Sequence, residues 1–113
     1  MLLLAACKPP PDDRHHMPGA DPAAGRAVVQ RVGCAACHVF PDIDWPRGSL
    51  GPNLGDFADQ GLIAGRVANR PDRLAAFVRD APSLIPGTTM PAMPISERES
   101  RDVAAYLYTL RGH

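Results

Sequence analysis

Apolar positions along the 113-residue chain recur at helical spacing in three places, and each recurrence begins or ends at a helix signal. In "DPAAGRAVVQRV", Asp21 stands as an N-cap and Pro22 at the first helical position. Ala24, Ala27, Val28, Val29 and Val32 form the apolar set, so the spacing predicts a helix to about Val32. Gly25 is out of place inside it: either a second helix passes close by, or it is a tolerated defect costing about 1 kcal/mol. In "RPDRLAAFVRDAP", Leu74, Phe77 and Val78 share a face ahead of Pro82, which predicts a second helix. The strongest pattern is the last, "SERESRDVAAYLYTLRGH". Ser96 and Glu99 make a capping box, Val103, Tyr106, Leu107 and Leu110 lie on one stripe, and Arg111-Gly112 closes the helix. No strand-like alternation of useful length is present. The fold class is therefore all-α, with long loops that need something to organise them.

Ahead of these helices the pattern fails. Residues 1–20 read as a leader and linker, and residues 21–113 as the folded domain. Leu2 to Ala6 is too short to span a bilayer and lacks the positive start of a secretory signal, yet "LAAC" resembles the lipobox of bacterial lipoproteins, with Cys7 as the lipidated residue. The plain alternative is an apolar terminus with a free thiol. "KPPPDDRHHMPGA" is polar, Pro-rich and aperiodic, a linker that extended would reach roughly 40 Å from an anchor. His15 and His16 within it read as solvated side chains rather than ligands.

Composition narrows the function. Twelve basic residues balance twelve acidic ones, and Lys8 is the single lysine, so nothing points to nucleic acid as a partner. Three Phe, two Tyr and one Trp make a thin aromatic core for this length, the condition in which small domains borrow apolar surface from a disulfide, a metal or a prosthetic group.

The chemistry lies in "GCAACHVF", Gly33 to Phe40. A structural zinc site needs a second ligand pair, and none is available in the domain. A thioredoxin-like dithiol belongs beside a parallel strand unit, which the pattern does not provide. Cys-x-x-Cys-His is the pattern of c-type haem attachment. On a helical turn, positions i, i+3 and i+4 share a face, so Cys34 and Cys37 reach two vinyl groups of one porphyrin while His38 comes under the iron. A sixth ligand is expected downstream on a loop able to cover the other haem face. "SLIPGTTMPAMPIS" is such a loop: it is braced by Pro86, Pro91 and Pro94, turns at Gly87, and carries two thioethers, Met90 and Met93. Both methionines could instead simply pack.

With "GCAACH", "GPNL", "IPGTTMP" and "DVAAYLYTL" in that order, the chain from Asp21 to Leu110 resembles a class I cytochrome c. "IAGRVANRPDRLAAFVRDA" leading into "PGTTMP" is similar to small bacterial c-type cytochromes associated with respiratory oxidases. The resemblance implies an all-α fold in which the N- and C-terminal helices cross around one covalently bound haem c. It implies Met90 as the axial thioether, with Met93 the alternative, and Pro52 as the carbonyl that accepts from the proximal imidazole. It also implies Gly25 and Tyr106 at the helix crossing, and Arg66 and Thr88 in the haem pocket. Position 29 is Val where the family often has an aromatic residue, and Trp45, in the loop after His38, does not fall clearly where the family's propionate-binding Trp stands, so its role is open.

The expected function is one-electron transfer through a His38/Met90-ligated haem, with no enzyme activity of its own. The expected partners are redox proteins, a membrane oxidase or a quinol-oxidising complex, on the periplasmic side of a bacterial membrane through the Cys7 anchor. Two other readings stand beside it: a fixed haem subunit of a respiratory complex, and a haem catalyst or gas sensor whose Met ligand dissociates.

Overall fold

The computed structural model describes residues 13–112. Three helices carry the fold: α1 (Pro22–Val32), α2 (Pro71–Leu84) and α3 (Glu97–Leu107). Asp21 caps α1, its carboxylate accepting from the Ala23 and Ala24 amides, and Gly33 closes the helix in the left-handed region at φ 84°. Ser96 and Glu99 form the expected capping box on α3, at 3.0 and 2.9 Å.

The N- and C-terminal helices cross at Gly25. A Cβ built there would lie 1.9 Å from the Asp102 carbonyl oxygen and 2.8 Å from the Val103 nitrogen, so only glycine permits this approach. Close approach is the first of the two readings of Gly25. The crossing is tied at its edges as well. Asp102 accepts from the Asp21 amide at 2.9 Å, so α3 holds the residue that caps α1, and Arg31 pairs with the capping-box Glu99. Val29 is fully buried, while Ala27, expected on the apolar face, is exposed because that face is narrower than the sequence set.

α2 runs past the expected stop at Pro82, but not as one straight helix. Asp80 takes non-helical φ −152°, ψ 73°, and a further short turn follows. The proline explains the break: its ring removes an N–H and crowds the carbonyl four residues earlier. The Ser83 hydroxyl donates to the Asp80 carbonyl at 2.9 Å across the break.

Two features depart from the sequence reading. Leu62–Ile63 (β1) and Val67–Ala68 (β2) pair antiparallel as a small hairpin, with Ala64 at φ 51° and Gly65 at φ 69° in its turn. Two-residue strands are too short to show a period. The linker also ends earlier than expected. Asp13–His15 forms a 3₁₀ turn, and the His15 ring stacks on Tyr108 with centroids 4.0 Å apart, so this histidine lies against the domain instead of standing in solvent. Tyr108 also donates to the buried Asn69 at 2.9 Å, and Asn69 in turn donates to the Gln60 carbonyl at 2.9 Å. These bonds tie the end of α3 to the loop that follows the Pro52 segment. The core is continuous and includes Val29, Phe40, Ile63, Leu74 and Ala104, each nearly or fully buried.

Candidate haem-attachment site

The local fold at Cys34 follows from Gly33. Its left-handed φ ends α1 and starts a 3₁₀ turn, Cys34–Ala36, in a new direction. The Cys37 and His38 amides both donate to the Cys34 carbonyl, at 3.2 and 3.1 Å, so Cys34, Cys37 and His38 occupy a single helical turn. That is the juxtaposition expected from their spacing. The two cysteines are not joined to one another, and both are half-buried. Burial, followed by the neighbouring Cys37 charge, pushes the Cys34 thiol above its usual range.

A second segment, Gly48 to Leu54, is laced to this turn by three backbone bonds. Gly48 donates to Ala35 at 2.9 Å, Gly51 to Cys37 at 2.7 Å and Leu54 to Val39 at 2.9 Å. The lacing is possible because two of these residues lack a Cβ. At Gly48 one would lie 1.9 Å from the Ala36 oxygen, and at Gly51 one would lie 2.3 Å from His38 Cε1. Neither glycine stood out in the sequence by its own pattern, although Gly51 lies inside "GPNL". Pro52 is where the resemblance placed it: His38 Nδ1 donates to its carbonyl at 2.8 Å. This bond commits one ring nitrogen and leaves Nε2 as the free donor atom. Phe40, almost wholly buried, stands edge-on to the imidazole at 6.4 Å and packs against Tyr106 at 6.1 Å. Behind that wall the Tyr106 hydroxyl donates to Asp42, whose other oxygen accepts from Arg26 Nε at 2.8 Å. Burial works against ionisation of Asp42, but the bonds from Tyr106 and Arg26 win and hold its carboxyl below the ordinary range. Burial, reinforced by the same carboxylate, raises the Tyr106 phenol.

Met90 and Met93, on the loop between α2 and α3, both lie half-buried against the core, as does Leu84 at the end of α2. Their backbones differ. The Met93 amide donates to the Arg79 carbonyl at 2.9 Å, whereas the Met90 amide meets only the Thr88 hydroxyl, at 3.4 Å. Thr88 is half-buried on the same loop, and Arg66 is exposed at the hairpin turn. Trp45 is 84% exposed on the loop between His38 and Gly48, and Leu50 nearby is exposed too. Cys7 lies outside the described residues.

The donor set suits a covalent haem c. Two unpaired thiols and an imidazole with its distal nitrogen uncommitted share one turn, and the half-buried Cys34, Leu54, Val67, Leu84, Met90 and Met93 pack against the core while keeping apolar surface for a further apolar body. Thiols, imidazole and thioether are the ligand types that haem proteins use.

Comparison with known proteins agrees with this chemistry. The family model described as cytochrome c oxidase, cbb3-type, subunit III matches residues 20–107. A cytochrome c oxidase subunit 2 of Alkalihalophilus pseudofirmus is 34% identical over 88 residues, covering 77% of this chain and 25% of that protein. A cytochrome c-552 of Bradyrhizobium diazoefficiens is 33% identical over 96 residues, covering 81% of this chain and 77% of its own length. In fold, the chain is similar to a chain of the crystal structure of SoxXA from P. pantotrophus. The TM-score is 0.61 at 22% identity, covering 82% of this chain and 83% of that one. The chain spans about a quarter of the oxidase subunits that it matches.

Proposed function

The chain belongs to the cytochrome c family, in the group described as cbb3-type oxidase subunit III, and from that membership we propose that it carries single electrons in a bacterial respiratory chain. Its cofactor is one covalently bound haem c, the family's cofactor. In the proposal Cys34 and Cys37 hold the porphyrin edge, His38 Nε2 and the Met90 thioether are the axial ligands, and a terminal oxidase receives the electrons. The single observation that carries it is the Cys34–His38 turn with Nδ1 committed to the Pro52 carbonyl, because this arrangement fixes which nitrogen faces a metal. When bound, the haem supplies the one-electron couple; with both axial positions taken, no site is left for a substrate. The chain's own work is then to attach the group, orient the imidazole, shield the proximal face with Phe40 and set how firmly Met90 is presented.

In the same proposal Cys7 is lipidated and residues 8–12 tether the domain to the periplasmic face of the membrane. Among the described residues no helix is long and apolar enough to cross a membrane. A second reading, a fixed subunit of a respiratory complex, draws support from the names of the oxidase-subunit relatives and from the quarter of their length that this chain matches. Co-purification with a membrane oxidase after a salt wash favours the fixed subunit, and its loss favours the mobile carrier.

The ligand assignment is tested by two variants of the haem-loaded protein. Met90→Ala removes the thioether-to-ferric-iron charge-transfer band, lowers the reduction potential and lets carbon monoxide bind the ferrous form without first displacing a ligand, since axial ligand identity is a main lever on potential. Met93→Ala keeps the band and costs only packing, up to a few kcal/mol. The opposite result moves the ligand role to Met93.

A further inference from the structure

The break in α2 has a partner elsewhere in the chain. In an unbroken helix the Arg79 carbonyl would accept from the Ser83 amide, four residues on. Here Asp80 is non-helical, and the Arg79 carbonyl accepts from the Met93 amide at 2.9 Å, fourteen positions away on the loop that bears both methionines. Pro82 explains the break, and Ser83 Oγ, bonded to the Asp80 carbonyl at 2.9 Å, steadies it.

The loop is thus held at two points. Near its start, Thr88 N donates to the buried Ile85 at 3.1 Å; near its end, Met93 N holds Arg79, and Ile95 N donates to the Met93 carbonyl at 2.8 Å. Met90 lies between the two, with a single weak bond of its own, to Thr88 at 3.4 Å. A residue so placed takes its position from the anchors on either side.

We propose that Pro82 is a positioning residue for the axial ligand: it breaks α2 so that the Arg79 carbonyl is presented to Met93 N–H, and this bond, rather than the Met93 thioether, holds the Met90 loop over the haem. The role of Met93 is then carried by its backbone. The inference rests on the reading of Met90 as ligand.

The test compares haem-loaded parent, Pro82→Ala, Ser83→Ala and Met93→Ala proteins. Pro82→Ala allows α2 to heal and return the Arg79 carbonyl to Ser83. The charge-transfer band should then melt at a lower temperature than in the parent while far-ultraviolet dichroism is retained. Carbon monoxide should bind the ferrous form roughly two- to tenfold faster, as expected when opening the loop no longer breaks a backbone hydrogen bond. Ser83→Ala, on an exposed side chain, moves both readouts the same way by less and keeps the test readable if Pro82→Ala does not fold. Met93→Ala, which keeps the N–H, leaves the carbon monoxide rate unchanged. Amide exchange at Met93, followed by NMR on the same samples, should be slow in the parent and faster in Pro82→Ala. Unchanged band melting and unchanged Met93 exchange in both the Pro82 and Ser83 variants overturn the proposal. A band that survives Met90→Ala instead overturns the ligand assignment, and Met93 exchange still reports whether the anchor exists.

Discussion

At the scale of single residues, the Cys34–His38 turn depends on side-chain atoms that its neighbouring glycines lack. Gly51 lies against the His38 ring, and an added Cβ would come within 2.3 Å of Cε1 and 2.6 Å of Nδ1. The ring cannot yield freely, because Nδ1 is held by the Pro52 carbonyl. Gly51→Ala is therefore expected to destabilise the domain by about 2 kcal/mol, within the range for overpacking, and to tilt the imidazole. The checks are a denaturant midpoint and the Soret position of the loaded protein, both of which should move. Gly33 acts differently. Nothing crowds it, but its φ of 84° sets the direction in which the Cys34 turn leaves α1.

Between elements, the crossing of α1 and α3 determines how firmly the two ends of the domain are joined. Gly25→Ala would gain about 1 kcal/mol of helix propensity, yet its Cβ would meet backbone atoms of Asp102 and Val103, which cannot rotate away. Overpacking of this kind costs up to about 3 kcal/mol. The net expectation is destabilisation, read as a lower thermal midpoint. A second contact bridges α1, the Asp42 loop and α3 through Arg26, Asp42 and Tyr106. The Asp42 carboxyl is held below its ordinary value in the folded protein. Its contribution is therefore fully present above the unfolded carboxylate range, near pH 4, and is lost as the pH falls from there through the lower folded value. Tyr106→Phe removes the largest of the interactions that depress it, so the thermal midpoint should fall less between pH 6 and pH 3 than it does in the parent. An identical loss in both proteins would exclude Asp42 as a contributor to the acid sensitivity.

For the whole molecule, the proposed lipid anchor at Cys7 makes its own prediction. Cys7→Ser is expected to release the protein from membranes without altering its haem spectrum, since lipid chains supply membrane affinity of about 0.8 kcal/mol per buried CH₂. Flotation with membranes after a salt wash reads the outcome, and retention of the variant would point to a protein partner or another anchor. The stack of His15 on Tyr108 joins the Asp13–His15 turn to the domain at the end of α3.

Much of this was legible before any coordinates, for reasons that are local. The Ser96–Glu99 box, the Asp21 cap and the i, i+3, i+4 placement of Cys34, Cys37 and His38 are each determined within a turn or two of backbone, where spacing alone decides which atoms meet. Pro82 likewise marked an end to the helix, although a further short turn follows the break at Asp80. What the break is for was not legible, because the Arg79 carbonyl finds its partner in Met93 only after α2 and the methionine loop have packed together. The same holds for Gly48 and Gly51, whose lack of a Cβ matters only against atoms of Ala36 and His38 brought in from the preceding turn. His15 read as a solvated linker residue because its partner, Tyr108, is at the other end of the chain. Local hydrogen-bond rings and helical periods are written in adjacent residues, whereas close backbone approach and long-range acceptors exist only once separate segments share one space.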